Sequence, residues 1–200
     1  MAAAKLSVFS TEADGAIAPS LRAHGIGHLV LDASSTSTGN LTRESVETIK
    51  ATVASSISVL LTDVAGVQAL VGVKVANQGA LRAVAKLLGR WVPGYVLVTG
   101  SQLPGEEVVD IMFGANQTWE FPGERFAGPE PDGLASTYAA AVTAGLAHGR
   151  SVEEAVAIAR IYVTEAQRTA FVTTGPEGAT PITNQLHAWW SGVGRQGYGG

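Results

Sequence analysis

The chain has 200 residues, of which 46% are hydrophobic and 15% charged, and its net charge is −4. This composition is typical of one globular domain with a substantial core and argues against a disordered chain. The thirteen Lys and Arg residues are scattered, which argues against a nucleic-acid binder. There is no cysteine, so disulfides, thiolate metal sites and cysteine nucleophiles are excluded.

No apolar run reaches the roughly 18 residues of a membrane span. The start of the chain lacks the apolar core and cleavage site of a signal peptide. We therefore expect a cytoplasmic protein whose partner is a small molecule or another protein, with no role for nucleic acid or membrane.

In chain order, short β-branched runs alternate with helical patterns. The predicted strands lie at residues 5–10, 28–32, 57–61, 95–99, 108–113 and 118–121. The predicted helices lie at residues 15–23, 42–55, 64–71, 78–90, 134–148 and 152–169. This alternation indicates an α/β fold with a mainly parallel sheet covered on both faces, and the last two strands predict an antiparallel hairpin at its edge.

Local signals mark several helix starts. Thr42 and Asn77 are suitable N-caps, and Ser151 with Glu154 forms a capping-box pattern. We find neither an internal repeat nor a domain boundary, so residues 1–190 are predicted to form a single domain. The Gly-rich residues 191–200 are predicted to form a flexible tail.

Ligands of open α/β sheets collect beyond the carboxyl ends of the strands. Asp32, Asp63 and the Gly100-Ser-Gln segment follow three of the predicted strands. The loop Pro129–Thr137 precedes the long helix, where free N–H groups and the helix dipole favour an anion. Gly133 would let a phosphate approach the backbone closely. The plainer alternative is a loop in which Asp132 or Ser136 only caps the helix.

Common catalytic and binding motifs are absent. The chain has no P-loop, no G-x-G-x-x-G after a strand, no G-x-S-x-G and no H-E-x-x-H. Its four histidines, at positions 24, 28, 148 and 187, have no metal-binding spacing. The Pro129–Thr137 loop therefore remains the best candidate site on motifs alone.

Taken in order, several segments resemble the hydroxymethylpyrimidine/phosphomethylpyrimidine kinases of thiamine biosynthesis, which belong to the ribokinase-like superfamily. The matching segments are residues 21–32 (LRAHGIGHLVLD), 59–72 (VLLTDVAGVQALVG), 96–110 (VLVTGSQLPGEEVVD), 137–167 and 181–184 (PITN). The resemblance covers nearly the whole chain from Lys5. It implies a three-layer α/β/α fold and an ATP-dependent phosphotransferase that acts on the hydroxymethyl group of a pyrimidine.

The resemblance also implies roles for individual residues. In the family, a G-T-G-C turn (G-x-G-D in relatives) cradles the transferring phosphate, and its last residue is the base or sits where the base would. That turn falls on Gly133-Leu-Ala-Ser136. The implied catalytic residues are Gly133 and Ser136, with Asp132 as a substitute base. The implied cofactors are ATP and Mg²⁺, with Asp63, Thr99, Gly100 and Ala135 at the nucleotide and Asp32 at the metal.

Several positions depart from the family pattern. Ala135 replaces the second glycine of the turn, and Ser136 replaces Cys or Asp. In the N-x-x-E segment that helps to hold magnesium, Asp63 replaces Asn and Gly66 replaces Glu. A serine hydroxyl takes no proton near neutral pH without a neighbouring base. The next histidine, His148, lies about 18 Å along the helix. The sequence thus predicts a degenerate turn that binds an anion better than it catalyses.

The family has further N-terminal β-α units that carry most substrate contacts, so the resemblance implies an N-terminally truncated fold. A partner chain or a homo-oligomer is expected to cover the exposed sheet edge. Alternatives to an active kinase are a non-catalytic pseudokinase that binds a nucleotide or anion, and an interaction or structural subunit. Two further alternatives are a pyridoxal kinase-like enzyme and an unrelated α/β binding domain.

Overall fold

A computed structural model describes residues 2–7, 17, 20–21, 23–34, 43–175 and 178–190. Six of its strands form one sheet in the order of the chain, with β1 to β4 parallel and β5 and β6 antiparallel. These strands are β1 (Ala2–Ser7), β2 (Ile26–Asp32), β3 (Val59–Thr62), β4 (Tyr95–Val98), β5 (Glu107–Gly114) and β6 (Gln117–Glu124). The mainly parallel sheet with an antiparallel edge hairpin is thus confirmed.

Helices cover both faces of the sheet. One layer contains α1 (Arg43–Thr52), α2 (Val64–Val71) and α3 (Gln78–Leu88), and the other contains α4 (Leu134–Ala147) and α5 (Val152–Arg168). Because side chains alternate along a strand, Leu60 packs in the core under α1 to α3 and Leu61 in the core under α4 and α5. The predicted three layers are present, and no described helix has the length and apolar character to cross a membrane.

Most predicted element bounds are close to the observed ones. The helix at Val64–Val71 matches the prediction, Asn77 caps α3 through Ala80 N–H, and Ser151 with Glu154 forms the capping box of α5. The first strand begins three residues earlier than predicted, and α1 ends at Thr52 before a short 3₁₀ turn. The predicted cap at Thr42, most of the helix predicted at residues 15–23 and the tail 191–200 lie outside the described residues.

A second, two-stranded sheet was not predicted. It consists of β7 (Phe171–Gly175) and β8 (Gly178–Ile182), and a short helix α6 (His187–Trp190) follows it. The backbone of β8 and the next residue hold the loop before α4: Asp132 N–H donates to Pro181 O at 2.9 Å, and Thr183 N–H donates to Asp132 O at 3.1 Å. The hairpin therefore positions the candidate loop.

Candidate functional site

The N-terminal end of α4, called its mouth below, has no side-chain cap. Gly133 is the N-cap residue, with a φ of 80° that favours glycine, and neither Asp132 nor Ser136 caps the helix. Leu134 N–H donates to Pro131 O, but the N–H groups of Ala135 and Ser136 contact no acceptor among the described residues. The positive end of the helix dipole is therefore open at the carboxyl edge of the sheet.

A lysine that sequence reasoning missed lies at this mouth. Lys5 Nζ donates a hydrogen bond to Ser136 Oγ and lies 3.3 Å from Asp32 Oδ2. Asp32 is fully buried, and its other oxygen accepts hydrogen bonds from the N–H and the hydroxyl of Ser34 at 3.2 and 2.7 Å. The ends of β1 and β2 and the start of α4 thus meet in one Lys5–Asp32–Ser136 cluster.

The alternation of side chains along β1 could have shown that Lys5 points toward α4. Ala4 and Leu6 pack against the core on the α1–α3 face, and Ala3 packs on the opposite face. The alternation of a strand then places Lys5 on the same face as Ala3, toward α4. A charged residue on an inward face needs a partner, and Asp32 at the end of the adjacent strand was the available one.

Asp63 is buried at the start of α2. Its Oδ1 accepts a hydrogen bond from Gly66 N–H at 2.6 Å, and its Oδ2 accepts one from Gln102 Nε2 at 3.1 Å. Gln102 Oε1 in turn accepts a hydrogen bond from Ala65 N–H at 2.9 Å. Gln102 therefore connects the segment after β4 to the start of α2.

Thr99 and Gly100 lie at the end of β4, on the other side of the mouth. Gly100 N–H donates to the buried Asp110 Oδ1 at 2.9 Å, and a Cβ on Gly100 would lie 2.2 Å from Val109 O. A cavity of about 90 Å³ opens beside them. Its polar lining includes Thr99, Ser101, Asp110, Glu130, Tyr138 and Arg160, with Ala135 from the first turn of α4.

Burial shifts the ionisation of two groups in this cavity. The pKa of Asp110 is raised because the carboxyl is buried, although Arg160 and Gly100 N–H stabilise its charged form. The pKa of Tyr138 is raised well above its ordinary value by burial first and by the negative charge of Asp110 second. Both groups therefore hold their protons more firmly than in water.

Glu130 adds negative charge at the rim of the cavity. Its pKa is raised, first by loss of water around the carboxyl and then by repulsion from Asp63 and Asp110. A hydrogen bond from Ser101 acts in the opposite direction and lowers the pKa. The Lys5–Asp32 ion pair therefore lies on the β1 side of the mouth of α4, and the Asp110–Arg160 ion pair with Glu130 lies on the β4 side. Of these carboxyl groups, Glu130 has no basic partner among the ion pairs of the described residues.

The contacts of the carboxylates decide how well each fits a metal ion. No three His, Asp or Glu side chains within the described part of the chain form a metal-binding group. The two oxygens of Asp32 are engaged by Lys5 and Ser34, so a magnesium ion there would have to displace the lysine. Both oxygens of Asp63 also accept hydrogen bonds, but the donor at Oδ2 is the uncharged amide of Gln102, which a magnesium ion would have to displace. Magnesium usually takes only one or two protein carboxylates beside phosphates and water, and Glu130 is the other carboxylate near this position.

Ala135 and Ser136 face different spaces, because successive helix residues point about 100° apart. Ala135 lines the small cavity, whereas Ser136 and Lys5 line one end of a groove of about 550 Å³ that runs along α4 to His148. The side chain of Asp132 is exposed just outside the mouth. The structure therefore gathers the predicted residues around one helix start but divides them between two sides of it.

Sequence comparisons identify proteins that this chain resembles. The profile of a family described as phosphomethylpyrimidine kinase matches residues 1–182. The hydroxymethylpyrimidine/phosphomethylpyrimidine kinase of Mycobacterium tuberculosis is 33% identical over 103 residues, which are 51% of this chain and 38% of that protein. The thiamine biosynthesis bifunctional protein of Geobacter sulfurreducens is 27% identical over 82% of this chain and 34% of its own length. The chain therefore matches less than half of either relative.

Solved structures show the same fold. An ADP complex of Bacillus subtilis pyridoxal kinase superimposes with a TM-score of 0.80 at 21% identity, covering 92% of this chain and 70% of that one. Phosphomethylpyrimidine kinase from Clostridium difficile gives a TM-score of 0.67 at 26% identity, covering 82% of this chain and 68% of that one. The predicted ribokinase-like fold is confirmed.

Proposed function

The chain belongs to the phosphomethylpyrimidine kinase family, and we propose that it transfers the terminal phosphoryl group of ATP to the hydroxymethyl group of a pyrimidine. The observation that carries this proposal is the open mouth of α4. Gly133 turns the backbone there so that the N–H groups of Ala135 and Ser136 are free. Phosphoryl transfer depends mainly on positioning and charge neutralisation, which such a mouth supplies.

The nucleotide is assigned to the β4 side of the mouth. Thr99 and Gly100 directly follow β4 there, and Thr99 and Ala135 line the same cavity. Magnesium would enter with the phosphates and would be held by Glu130 and Asp63, because displacing the Gln102 amide from Asp63 removes no charge, whereas displacing Lys5 from Asp32 would. The ion would neutralise negative charge on the phosphates. In this arrangement the acceptor hydroxyl approaches from the β1 side, beside Ser136.

The acceptor hydroxyl must give its proton to a base during the transfer. Ser136 Oγ already accepts a hydrogen bond from Lys5, so it is poorly placed to take a proton. Asp132 has an exposed carboxylate one residue before the turn and is the base that we assign. A weak base is sufficient, because bonding in the transition state of phosphoryl transfer is loose.

A direct assay tests the proposed reaction. Purified protein with ATP and Mg²⁺ should form ADP only when hydroxymethylpyrimidine or its phosphate is added. The variant Ala135→Gly should raise kcat, because it restores the close backbone approach to the phosphate. Ala157→Gly, at an exposed position of α5 that lines neither the cavity nor the groove, controls for the helix-weakening effect of glycine, which is about 1 kcal/mol.

A non-catalytic nucleotide or anion binder is the second candidate function. It is favoured by the Cβ of Ala135, which lies at the position where the family has a glycine. Nucleotide binding in calorimetry without turnover on any acceptor, in the wild type and in Ala135→Gly, would support it and overturn the kinase. Turnover with pyridoxal in place of the pyrimidine would instead support the pyridoxal kinase alternative.

A further inference from the structure

We propose that Lys5 is a catalytic residue whose ammonium group contacts the transferring phosphoryl group. This inference rests on the proposed function, because that function locates the phosphoryl group at the mouth of α4. It adds a residue from β1, 131 positions away from Ser136 in the chain, to a site otherwise built from the turn before α4. The contacts of Lys5, Asp32 and Ser136 carry the argument.

The ammonium group of Lys5 has a donor left for a ligand. A lysine ammonium has three N–H donors. One points to Ser136 Oγ and another can serve the carboxylate of Asp32, 3.3 Å away. The side chain is 21% exposed, and it lines the groove beside the helix mouth. The third N–H is therefore accessible to an oxygen that enters from this groove.

The buried carboxylate of Asp32 holds the Lys5 side chain at this position. Asp32 is fully buried, and Ser34 anchors it with two hydrogen bonds. A buried carboxylate without a cation would be costly, so the pair holds the ammonium in place before any ligand arrives. A phosphoryl group would then meet a donor that needs no reorganisation, which is the condition for effective electrostatic catalysis.

The same contact changes the role of Ser136. Because a lone pair of Oγ receives the Lys5 hydrogen bond, the hydroxyl hydrogen is free to point toward the mouth. Ser136 then donates to the phosphoryl oxygens beside the N–H groups of Ala135 and Ser136. The hydroxyl that replaces the family's Cys or Asp thus acts as an anion donor, and Lys5 supplies the positive charge.

The transfer step balances with these residues. The bond between the γ-phosphorus of ATP and its bridging oxygen breaks, and a bond forms between that phosphorus and the acceptor hydroxymethyl oxygen. The hydroxyl proton passes to Asp132 and then to water, and ADP leaves with the bridging oxygen. Lys5 keeps its proton throughout and neutralises charge on the transferring oxygens.

Kinetics of charge-removing variants give the first test. Lys5→Gln leaves Asp32 without its cation, so the double variant Lys5→Gln/Asp32→Asn, which removes both charges, accompanies it. We expect kcat to fall about 100-fold in each, as for loss of an oxyanion donor, with little change in the KM for the pyrimidine. Lys86→Gln, an exposed lysine on α3, is the matched control and should keep the wild-type kcat. Wild-type kcat in the folded double variant would overturn the inference.

Binding of inorganic phosphate to the wild type gives a second test that needs no turnover. The chain has only four lysines, at positions 5, 50, 74 and 86, so the ε-carbon signals of a ¹³C-lysine sample are readily assigned. Phosphate should shift the Lys5 signal saturably and leave the other three unchanged. Equal shifts of all four signals, or none at Lys5, would overturn the inference even if Lys5→Gln fails to fold.

The two tests separate this inference from the proposed function. Turnover by the wild type and by Lys5→Gln/Asp32→Asn at equal rates would leave the kinase standing and remove Lys5 from it. A saturable phosphate shift at Lys5 in a protein with no turnover on any acceptor would remove the kinase. The same result would still support Lys5 as the cation of a phosphate-binding site.

Discussion

Arg160 on α5 lies 3.2 Å from Asp110 on β5, measured between Nε and Oδ2, and the two side chains are only 11% and 1% exposed. The pair connects the antiparallel end of the sheet to the helix layer behind the small cavity. Gly123 makes room for it, since a Cβ there would lie 2.1 Å from Arg160 Nη2. A buried ion pair stabilises a fold little more than apolar packing would, but loss of one partner leaves the other charge buried without a counter-ion.

Arg160→Met is expected to lower the free energy of unfolding by about 3–5 kcal/mol, because it leaves the Asp110 carboxylate buried without a cation. Arg168→Met is the matched control on the same helix. Arg168 pairs with Glu124 at 2.7 Å, but the side chains are 50% and 55% exposed. The control should therefore cost about 1 kcal/mol or less in urea denaturation.

The double variant Arg160→Met/Asp110→Asn distinguishes the ion pair from simple packing. The amide still accepts the hydrogen bond from Gly100 N–H but carries no charge. We expect the double variant to be more stable than Arg160→Met alone. A double variant that is less stable than both single ones would show that the arginine acts mainly through its packing.

The raised pKa of Asp110 predicts a pH dependence of stability. The native state keeps the Asp110 proton to a higher pH than the unfolded chain, whose Asp pKa is about 4. Between those two values the native state binds more protons, so this group's contribution to stability is complete below about pH 4 and is lost as the pH rises. Urea titrations from pH 4 to 8 should show this decline in the wild type relative to Asp110→Asn. A constant difference between the two proteins would contradict it.

Local periodicity explains why much of the fold was predictable. The helix at Val64–Val71 and the strand beginning at Tyr95 were located from apolar spacing, and the Ser151 capping box from four residues. These signals lie within one turn or one strand, where a sequence can be interpreted without knowing the fold. The resemblance of longer segments then supplied the layer order.

The rest depended on contacts between distant residues. Lys5 and Ser136 are separated by 131 positions, so only the assembled sheet brings them together. The β7–β8 hairpin lacks the alternation of buried and exposed residues by which a strand is recognised in a sequence. Its successive apolar residues Phe171 and Val172 are both exposed, at 49% and 66%. Gly66 was interpreted as a lost magnesium ligand, whereas its surroundings show a steric requirement.

Gly66 has no room for a side chain. A Cβ there would lie 2.4 Å from Thr62 Oγ1 and 2.5 Å from Ala33 O. Gly66→Ala should lower the free energy of unfolding by about 1–3 kcal/mol. Gly66→Glu should cost more and should not restore the family carboxylate. Gly79→Ala, with its nearest atom at 3.3 Å, is the control and should change stability by at most about 1 kcal/mol. A stable Gly66→Glu protein with stronger magnesium dependence would contradict this steric explanation.

Thr183 is expected to control the order of the loop before α4. Its hydroxyl donates to Asp132 O at 2.7 Å, in addition to the backbone bond from its N–H. Thr183→Val keeps the shape of the buried side chain and removes one hydrogen bond, which should cost about 1 kcal/mol. Hydrogen exchange at Asp132 N–H should become faster, and Thr183→Ser should retain wild-type exchange. Unchanged exchange in Thr183→Val would show that the backbone bonds alone hold the loop.

The electrostatic field at the helix mouth can be measured without any substrate. The chain has no cysteine, so Ser136→Cys introduces a single thiol. The Lys5 ammonium and the open start of α4 should lower its pKa below the ordinary value of about 8.5, as followed by iodoacetamide alkylation against pH. Ser55→Cys, at an exposed position, provides the control thiol with an ordinary pKa. In the Lys5→Gln/Asp32→Asn background, the pKa of the thiol at position 136 should rise again, although the helix is unchanged. If it stays low there, the field comes from α4 alone and Lys5 contributes only a structural contact.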